Sequence, residues 1–197
     1  MELSAAQDAP GQNGAPLLLR ASAPDVTGAD AALRVTVLPS RGDIWLRAFS
    51  GGYLSSYPLA RFDWDGRPVY STTGAGAGRG IHVMVVDPAT GIFSAVRTFD
   101  TYGEKTASGN LIQYLSALPV GALALFAVAD DGAWMLTPQA RNAIGTMFHS
   151  RYIGWLGYQQ SWALIGRKGL PPFAEQTSSA WMVLVYTSLR FPLPPLH

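Results

Sequence analysis

Arg79 is the charged residue whose setting most invites chemistry. It stands between Gly78 and Gly80, at the mouth of an apolar run from Ile81 to Val86. The chain then turns at Asp87-Pro88-Ala89-Thr90-Gly91 and returns from Ile92 to Phe99, which predicts a β-hairpin with Arg79 at one end and Asp100 at the other. A guanidinium placed beside a buried strand in this way points to ligand binding. Catalysis finds less support. Asp130 and Asp131 are paired carboxylates just after an apolar run, but neighbours in a strand face opposite sides. One of them facing a pocket is therefore a better reading than a catalytic pair. There is no Gly-x-Ser-x-Gly elbow and no cysteine, so nucleophilic catalysis lacks its usual parts. His82, His149 and His197 do not fall at metal-ligand spacing, and His82 alternates with apolar neighbours as a structural residue would. The glycines at 74, 76, 78 and 80 do not make a phosphate loop. Ile81 stands where a dinucleotide fingerprint starting at Gly76 needs its last glycine, and the run enters a strand instead of opening a helix. Asp63-Trp64-Asp65-Gly66 begins like a calcium loop but lacks the distant glutamate, and Asp-Gly is a hairpin signal. The expectation is a non-enzyme with no cofactor and no metal.

The elements that position these residues follow from periodicity. Leu33 to Leu38 alternates as a strand, and Ile44 to Phe49 sets Ile44, Leu46 and Ala48 opposite Trp45, Arg47 and Phe49. Phe62-Asp63-Trp64 and Pro68-Val69-Tyr70 flank the turn at Asp65-Gly66-Arg67. Residues 105–118 space Leu111, Leu115 and Leu118 as a helix does. Leu123 to Val128 reads as a buried strand, bounded by Gly121 and by Asp130-Asp131-Gly132. Thr137-Pro138 opens a helix, with a hydroxyl cap and then proline, that runs to about Arg151 and buries Ala140, Ile144 and Phe148. Trp162 to Ile165 and Trp181 to Tyr186 are further short strands. The class is α+β.

Three segments are expected: an arm or linker over residues 1–32, a domain over 33–187 and a Pro-rich tail over 188–197. Within the arm, Leu17-Leu18-Leu19 reads as a short strand. A net charge of +1 carries no footprint for nucleic acid. Charged residues make up 14% of the chain, against about 25% in ordinary soluble domains. Such a sparsely charged surface suits coverage by neighbours. The longest apolar run, Leu115 to Ala129, is broken by Pro119 and Gly121 and does not span a membrane. Met1-Glu2-Leu3-Ser4 opens acidic and polar, unlike a signal peptide, and the absence of cysteine favours a bacterial or viral source or a reducing compartment.

Several motifs occur in one order: Gly78-Arg79-Gly80-Ile81-His82-Val83, Asp87-Pro88-Ala89-Thr90-Gly91, Phe99-Asp100-Thr101-Tyr102, Val128-Ala129-Asp130-Asp131-Gly132 and Ser161-Trp162-Ala163-Leu164-Ile165-Gly166-Arg167-Lys168-Gly169. Over residues 78–169 the chain resembles the interleukin-like EMT inducer, or PANDER-like, domain. That domain occurs in small cytokine-like secreted proteins, in cell-migration-inducing hyaluronan-binding proteins and in the stem of protein O-mannose β-1,2-N-acetylglucosaminyltransferase, which it resembles most. The resemblance implies two packed antiparallel β-sheets with two or three short helices, a PANDER-like β-sandwich. It also implies recognition of β-linked N-acetylglucosamine without catalysis. The stem's sugar contacts fall on Arg79, on Asp130 and, where the stem has arginine, on Gln159, whose neutral amide is the weaker hydrogen-bonding group. Sugars combine hydroxyls with apolar C–H faces, so Tyr158, Trp155 or Trp134 would serve as aromatic platforms. The expected ligand-binding residues are Arg79, Asp130, Gln159 and Tyr158, with Asp130 as the partner of Arg79.

Two settings follow. The first is a carbohydrate-binding, lectin-like domain of bacterial or phage origin, on a virion (as in a tail fibre) or a bacterial cell surface, with a glycan partner that contains N-acetylglucosamine. The alternative is a structural assembly protein that contacts neighbouring subunits through residues 1–32 and the tail.

Overall fold

The structure is a computed structural model that describes residues 18–22, 34–38, 42–53, 55, 58–72, 78–178 and 185–193. Most of the expected arm, residues 74–77 of the glycine run, residues 181–184 of an expected strand, and His197 lie outside the described residues. The chain divides into two units, Met1–Gly42 with Pro192–His197, and Asp43–Phe191. In the first, β1 (Leu18–Ser22) and β2 (Arg34–Leu38) pair antiparallel, with Leu18 opposite Leu38.

The second unit begins with β3 (Asp43–Gly52), in which Ile44, Leu46 and Ala48 are buried as the alternation predicts. It turns through β4 (Ala60–Trp64) and β5 (Arg67–Ser71) at Asp65-Gly66, where both residues take the left-handed backbone that a tight hairpin demands. Asp63, in the segment that began like a calcium loop, is buried and receives the Arg61 Nε at 2.7 Å and an Arg47 nitrogen at 3.2 Å. Next come β6 (Gly80–Val86), β7 (Arg97–Phe99), α1 (Ala107–Ala117), β8 (Leu123–Asp130), α2 (Pro138–Phe148), a single 3₁₀ turn (Ile153–Trp155), β9 (Trp162–Arg167), β10 (Ala174–Thr177) and β11 (Val185–Pro192). β11 carries strand pairing into residues 188–192, the start of the expected tail.

The α+β class expected from the sequence holds. The described strands of this unit form one open mixed sheet of nine, in the order β10-β9-β8-β3-β4-β5, with β11 on β3, β6 on β8 and β7 on β6. The two antiparallel sets are hydrogen-bonded to each other through a short parallel pairing, Gly51 and Gly52 of β3 beside Ala129 and Asp130 of β8. Two serines knit this junction. The Ser50 hydroxyl donates to the Val128 carbonyl at 2.7 Å and accepts the Trp162 N–H at 2.9 Å, while the Gly52 N–H donates to the Ser161 Oγ at 2.8 Å.

β8 is buried from Leu123 to Ala129, as a central strand covered on both faces should be. On one face α1 supplies Leu111 and Leu115, and α2 supplies Ala140, Ile144 and Phe148, packed with Phe126, Val128 and Trp162. Phe126 meets Phe148 edge-on, with ring centroids 4.9 Å apart. The Thr137 hydroxyl caps α2 by accepting the Ala140 N–H. That helix ends at Phe148 rather than Arg151, because His149 adopts left-handed backbone (φ +50°). The Lys168 ammonium closes α1 by donating to the Leu115, Ser116 and Leu118 carbonyls at 2.6–2.9 Å.

His82, in the middle of β6, is buried. Its Nε2 meets the Gly78 carbonyl, which only accepts, so Nε2 carries the proton and Nδ1 accepts from the Tyr70 hydroxyl at 2.8 Å. Burial lowers the ring's pKa to about 4, against the opposing pull of the Gly78 carbonyl. Because the unfolded chain protonates this ring first, stability is intact above pH ~6.5 and falls by about 1.4 kcal/mol per pH unit down to pH ~4. Urea unfolding across this range is expected to show that slope and His82→Gln to flatten it. An unchanged slope in the variant would refute the assignment.

Candidate functional site

The chain reaches Arg79 just before β6. Gly80 holds a left-handed backbone (φ +99°) there and passes so close to the Phe99–Thr101 backbone that a Cβ would lie 2.9 Å from the Asp100 Cα, and nearer still to the Phe99 carbonyl oxygen. This crossing brings the guanidinium onto Asp100. The Arg79 Nε donates to the two Asp100 carboxylate oxygens at 3.0 and 3.1 Å. The same carboxylate accepts the Tyr102 and Gly103 N–H groups at 3.2 and 2.7 Å. Below the guanidinium lies the Tyr102 ring, 4.8 Å from Cζ to centroid. The bond to Asp100 raises the arginine's pKa further, so the group is a permanent cation. The partner expected from the sequence was Asp130; the direct partner is Asp100, because Gly80 lets β6 touch the end of β7. Asp130 remains near enough for its charge to act on Arg79.

β8 ends at Asp130, whose left-handed backbone (φ +61°) separates the two carboxylates. Asp131 turns inward and is 1% exposed. Its Oδ1 accepts the Ala133 and Trp134 N–H groups at 2.6 and 3.0 Å, and its Oδ2 accepts the Gln159 N–H at 2.7 Å. Asp130 turns outward, half-buried. Among the described residues its carboxylate has no hydrogen-bond partner, and the Arg79 Nη groups have none either. Loss of solvent, and then the charge of Asp131, hold the Asp130 carboxyl above its ordinary range, opposed by Arg79.

Gln159 is fixed through its backbone: its N–H goes to Asp131 and its φ of +59° places it in the turn that passes over Gly52. Its neighbour Tyr158 stacks with Tyr102 at 6.5 Å between centroids and meets Trp134 edge-on at 5.5 Å. Desolvation, with Tyr102 and the two aspartates, raises the Tyr158 hydroxyl's pKa. A continuous row results: Arg79, Tyr102, Tyr158, Trp134, with the Asp130 carboxylate beside it. Trp134 is 65% exposed. Of the expected site residues, Arg79, Asp130 and Tyr158 converge, and Gln159 anchors the turn that carries Tyr158. Trp155, expected among the same platforms, lines a different cleft. The sequence reading missed Asp100, Tyr102 and Asp131 as members. The signal for the first two was their place in Phe99-Asp100-Thr101-Tyr102, and for Asp131 the Asp-Gly step that favours a side-chain-to-backbone turn.

A family described as interleukin-like EMT inducer matches residues 79–170, which hold the whole of this row. The chain is 39% identical over 93 residues to the cell migration-inducing and hyaluronan-binding protein of Homo sapiens, covering 47% of this chain and 7% of that protein. It is 32% identical over 141 residues to the cell surface hyaluronidase of Danio rerio, covering 66% of this chain and 10% of that protein. With protein FAM3C of Bos taurus it shares 37% over 93 residues, 47% of this chain and 40% of the relative. The chain thus spans well under two thirds of these relatives. They correct the setting expected from the sequence: the relatives are vertebrate proteins, so a bacterial or phage lectin, a tail-fibre or assembly protein, and a virion or bacterial-surface location are set aside. A lack of cysteine reports only that no disulfide forms, and was too weak a sign of source.

Proposed function

Because residues 79–170 of this chain are an interleukin-like EMT inducer domain, we propose that the row from Arg79 to Trp134 binds a glycan carrying N-acetylglucosamine, hyaluronan among them, and does not cleave it. The observation that carries this reading is the pair of open polar groups, the Arg79 Nη nitrogens and the Asp130 carboxylate, set beside three aromatic rings. A sugar needs donors and acceptors for its hydroxyls and a flat apolar surface for its C–H face, and this row supplies both. Asp100 holds the guanidinium by Nε alone, so the cation is oriented before the ligand arrives. The name of the human relative, hyaluronan-binding, supports the ligand class. The name of the zebrafish relative raises hydrolysis, but a glycosidase needs two available carboxylates. Here Asp131 has both oxygens committed to backbone N–H groups.

Calorimetric titration with hyaluronan oligosaccharides is the test. Binding is expected, with Arg79→Ala weakening it about tenfold through loss of charge-assisted hydrogen bonds. Arg79→Lys is expected to recover only part of it, since a point charge lacks the planar fork. Equal affinity in the alanine variant would remove Arg79 from the site, and shortening of the oligosaccharide would overturn the non-cleaving reading.

A further inference from the structure

Trp155 closes the 3₁₀ turn with 84% of its surface exposed, and its ring makes no aromatic or cation contact among the described residues. An indole left this open is a large apolar surface in water without an internal reason for its place. It borders an open cleft of about 570 Å³, whose other walls are Tyr152, Gln160, Glu175, Gln176, Thr177 and Ser178. The cleft is built rather than incidental. The Glu175 carboxylate, from β10, accepts the Ser150 hydroxyl, the Arg151 and Tyr152 N–H groups at 2.8 and 3.4 Å, and the indole N–H of buried Trp162 at 2.8 Å. Strand and turn are thereby locked into opposite walls.

Those bonds also decide the chemistry of the cleft. With its oxygens so engaged, Glu175 offers a ligand little as an anion. The remaining polar groups are neutral. The Gln160 Oε1 accepts the Gly157 N–H at 2.9 Å, which leaves its amide nitrogen as a donor. Thr177 donates to the Ser161 carbonyl at 3.0 Å and keeps its acceptor capacity, whereas Ser178 accepts the Ser161 N–H at 3.1 Å and keeps its hydroxyl proton. Gln176 is exposed, with its amide uncommitted. A flat indole beside Tyr152, with neutral amides and hydroxyls, suits a neutral sugar unit. Among the described residues the wall is too polar for a lipid and has no open charge for a phosphate.

We infer that this cleft is a second saccharide subsite, with Trp155 as its platform, for another unit of the glycan bound at Arg79. The inference rests on the glycan-binding reading of the first site. One short turn serves both places: Tyr158 faces the Tyr102–Trp134 rings and Gln160 lines the cleft. A glycan chain that crosses this turn meets both aromatic platforms, and a short one meets a single platform.

Titration of the intact chain and its variants with hyaluronan oligosaccharides, a disaccharide against a long oligomer, tests this. The long oligomer is expected to bind wild type more tightly than the disaccharide. Trp155→Ala should weaken the long oligomer about fivefold to tenfold, the scale of one aromatic platform, and leave disaccharide affinity unchanged. Trp155→Phe should restore most of the loss. Arg79→Ala should weaken both lengths. If Arg79→Ala weakens binding and Trp155→Ala changes neither length, the second subsite is refuted and the first stands. If wild type binds neither length, both readings fall. The exposure of Trp155 keeps the fold out of the comparison, and matched urea midpoints will verify this.

Discussion

Gly52→Ala is expected to destabilise the chain by about 4 kcal/mol or more, at the top of the range for one substitution. The reason is space, not backbone preference. An added Cβ would lie 2.8 Å from the Gln159 carbonyl carbon, 3.1 Å from the Gln160 carbonyl carbon, and closer still to the Gln159 oxygen. These are backbone atoms, so no side chain can swing aside. Neither partner is free to retreat. Gly52 is held by the Ser161 hydroxyl and by its pairing beside Asp130, while Gln159 is held by Asp131. Relief must therefore break either the β3–β8 junction or the turn carrying Tyr158. Urea unfolding of the variant should show a large fall in midpoint, and whatever folded fraction remains should bind glycan weakly. A midpoint equal to wild type would show that the turn does not cross β3 as described.

This crossing also shows where sequence reasoning ran out. The inward faces of β3, the hairpin at Asp65-Gly66 and the capped start of α2 were legible, because each depends on residues within a few positions of one another. The α2 terminus was not. The N–H groups just past it are taken by Glu175, which lies far along the chain, so the helix has no reason to continue to Arg151. β10 was missed because Ala174-Glu175-Gln176-Thr177 is polar and short, and only its pairing to β9 makes it a strand. In the site, Arg79, Asp130 and Tyr158, which the sequence singled out, lie along one row. The sequence misassigned the arginine's partner, since the choice of Asp100 over Asp130 depends on how closely Gly80 approaches the end of β7. Trp155 and Trp134 looked equivalent as platforms. They part because the turn at Gly157–Gln160 sends Tyr158 to one side and Gln160 to the other.

Asp131 should prove the residue on which both the fold and the first site depend. Asp131→Ala removes three charge-assisted bonds, to the N–H groups of Ala133, Trp134 and Gln159, from a place that water does not reach. Bonds of this kind contribute about 1.5–3 kcal/mol each and are not additive, so a loss of about 4 kcal/mol is expected. A second consequence concerns Arg141 on α2. Its guanidinium donates to the Ile153 and Leu156 carbonyls at 2.8 Å; burial lowers its pKa, and the negative charge of Asp131 opposes that shift. Without Asp131 the cation keeps, among the described residues, only neutral partners, and the 3₁₀ turn it secures should loosen as well. Asp131→Asn separates the contributions. Its Oδ1 can still accept from Ala133 and Trp134, but its amide nitrogen then faces the Gln159 N–H, donor against donor. Hydrogen exchange should therefore speed up at Gln159 in both variants and at Ala133 and Trp134 in the alanine variant alone. The asparagine variant should retain the Trp134 side of the aromatic row and lose the Tyr158 side, with glycan affinity falling accordingly. Wild-type protection at Gln159 in Asp131→Asn would sink the assignment, because the turn would then be held by something other than this carboxylate.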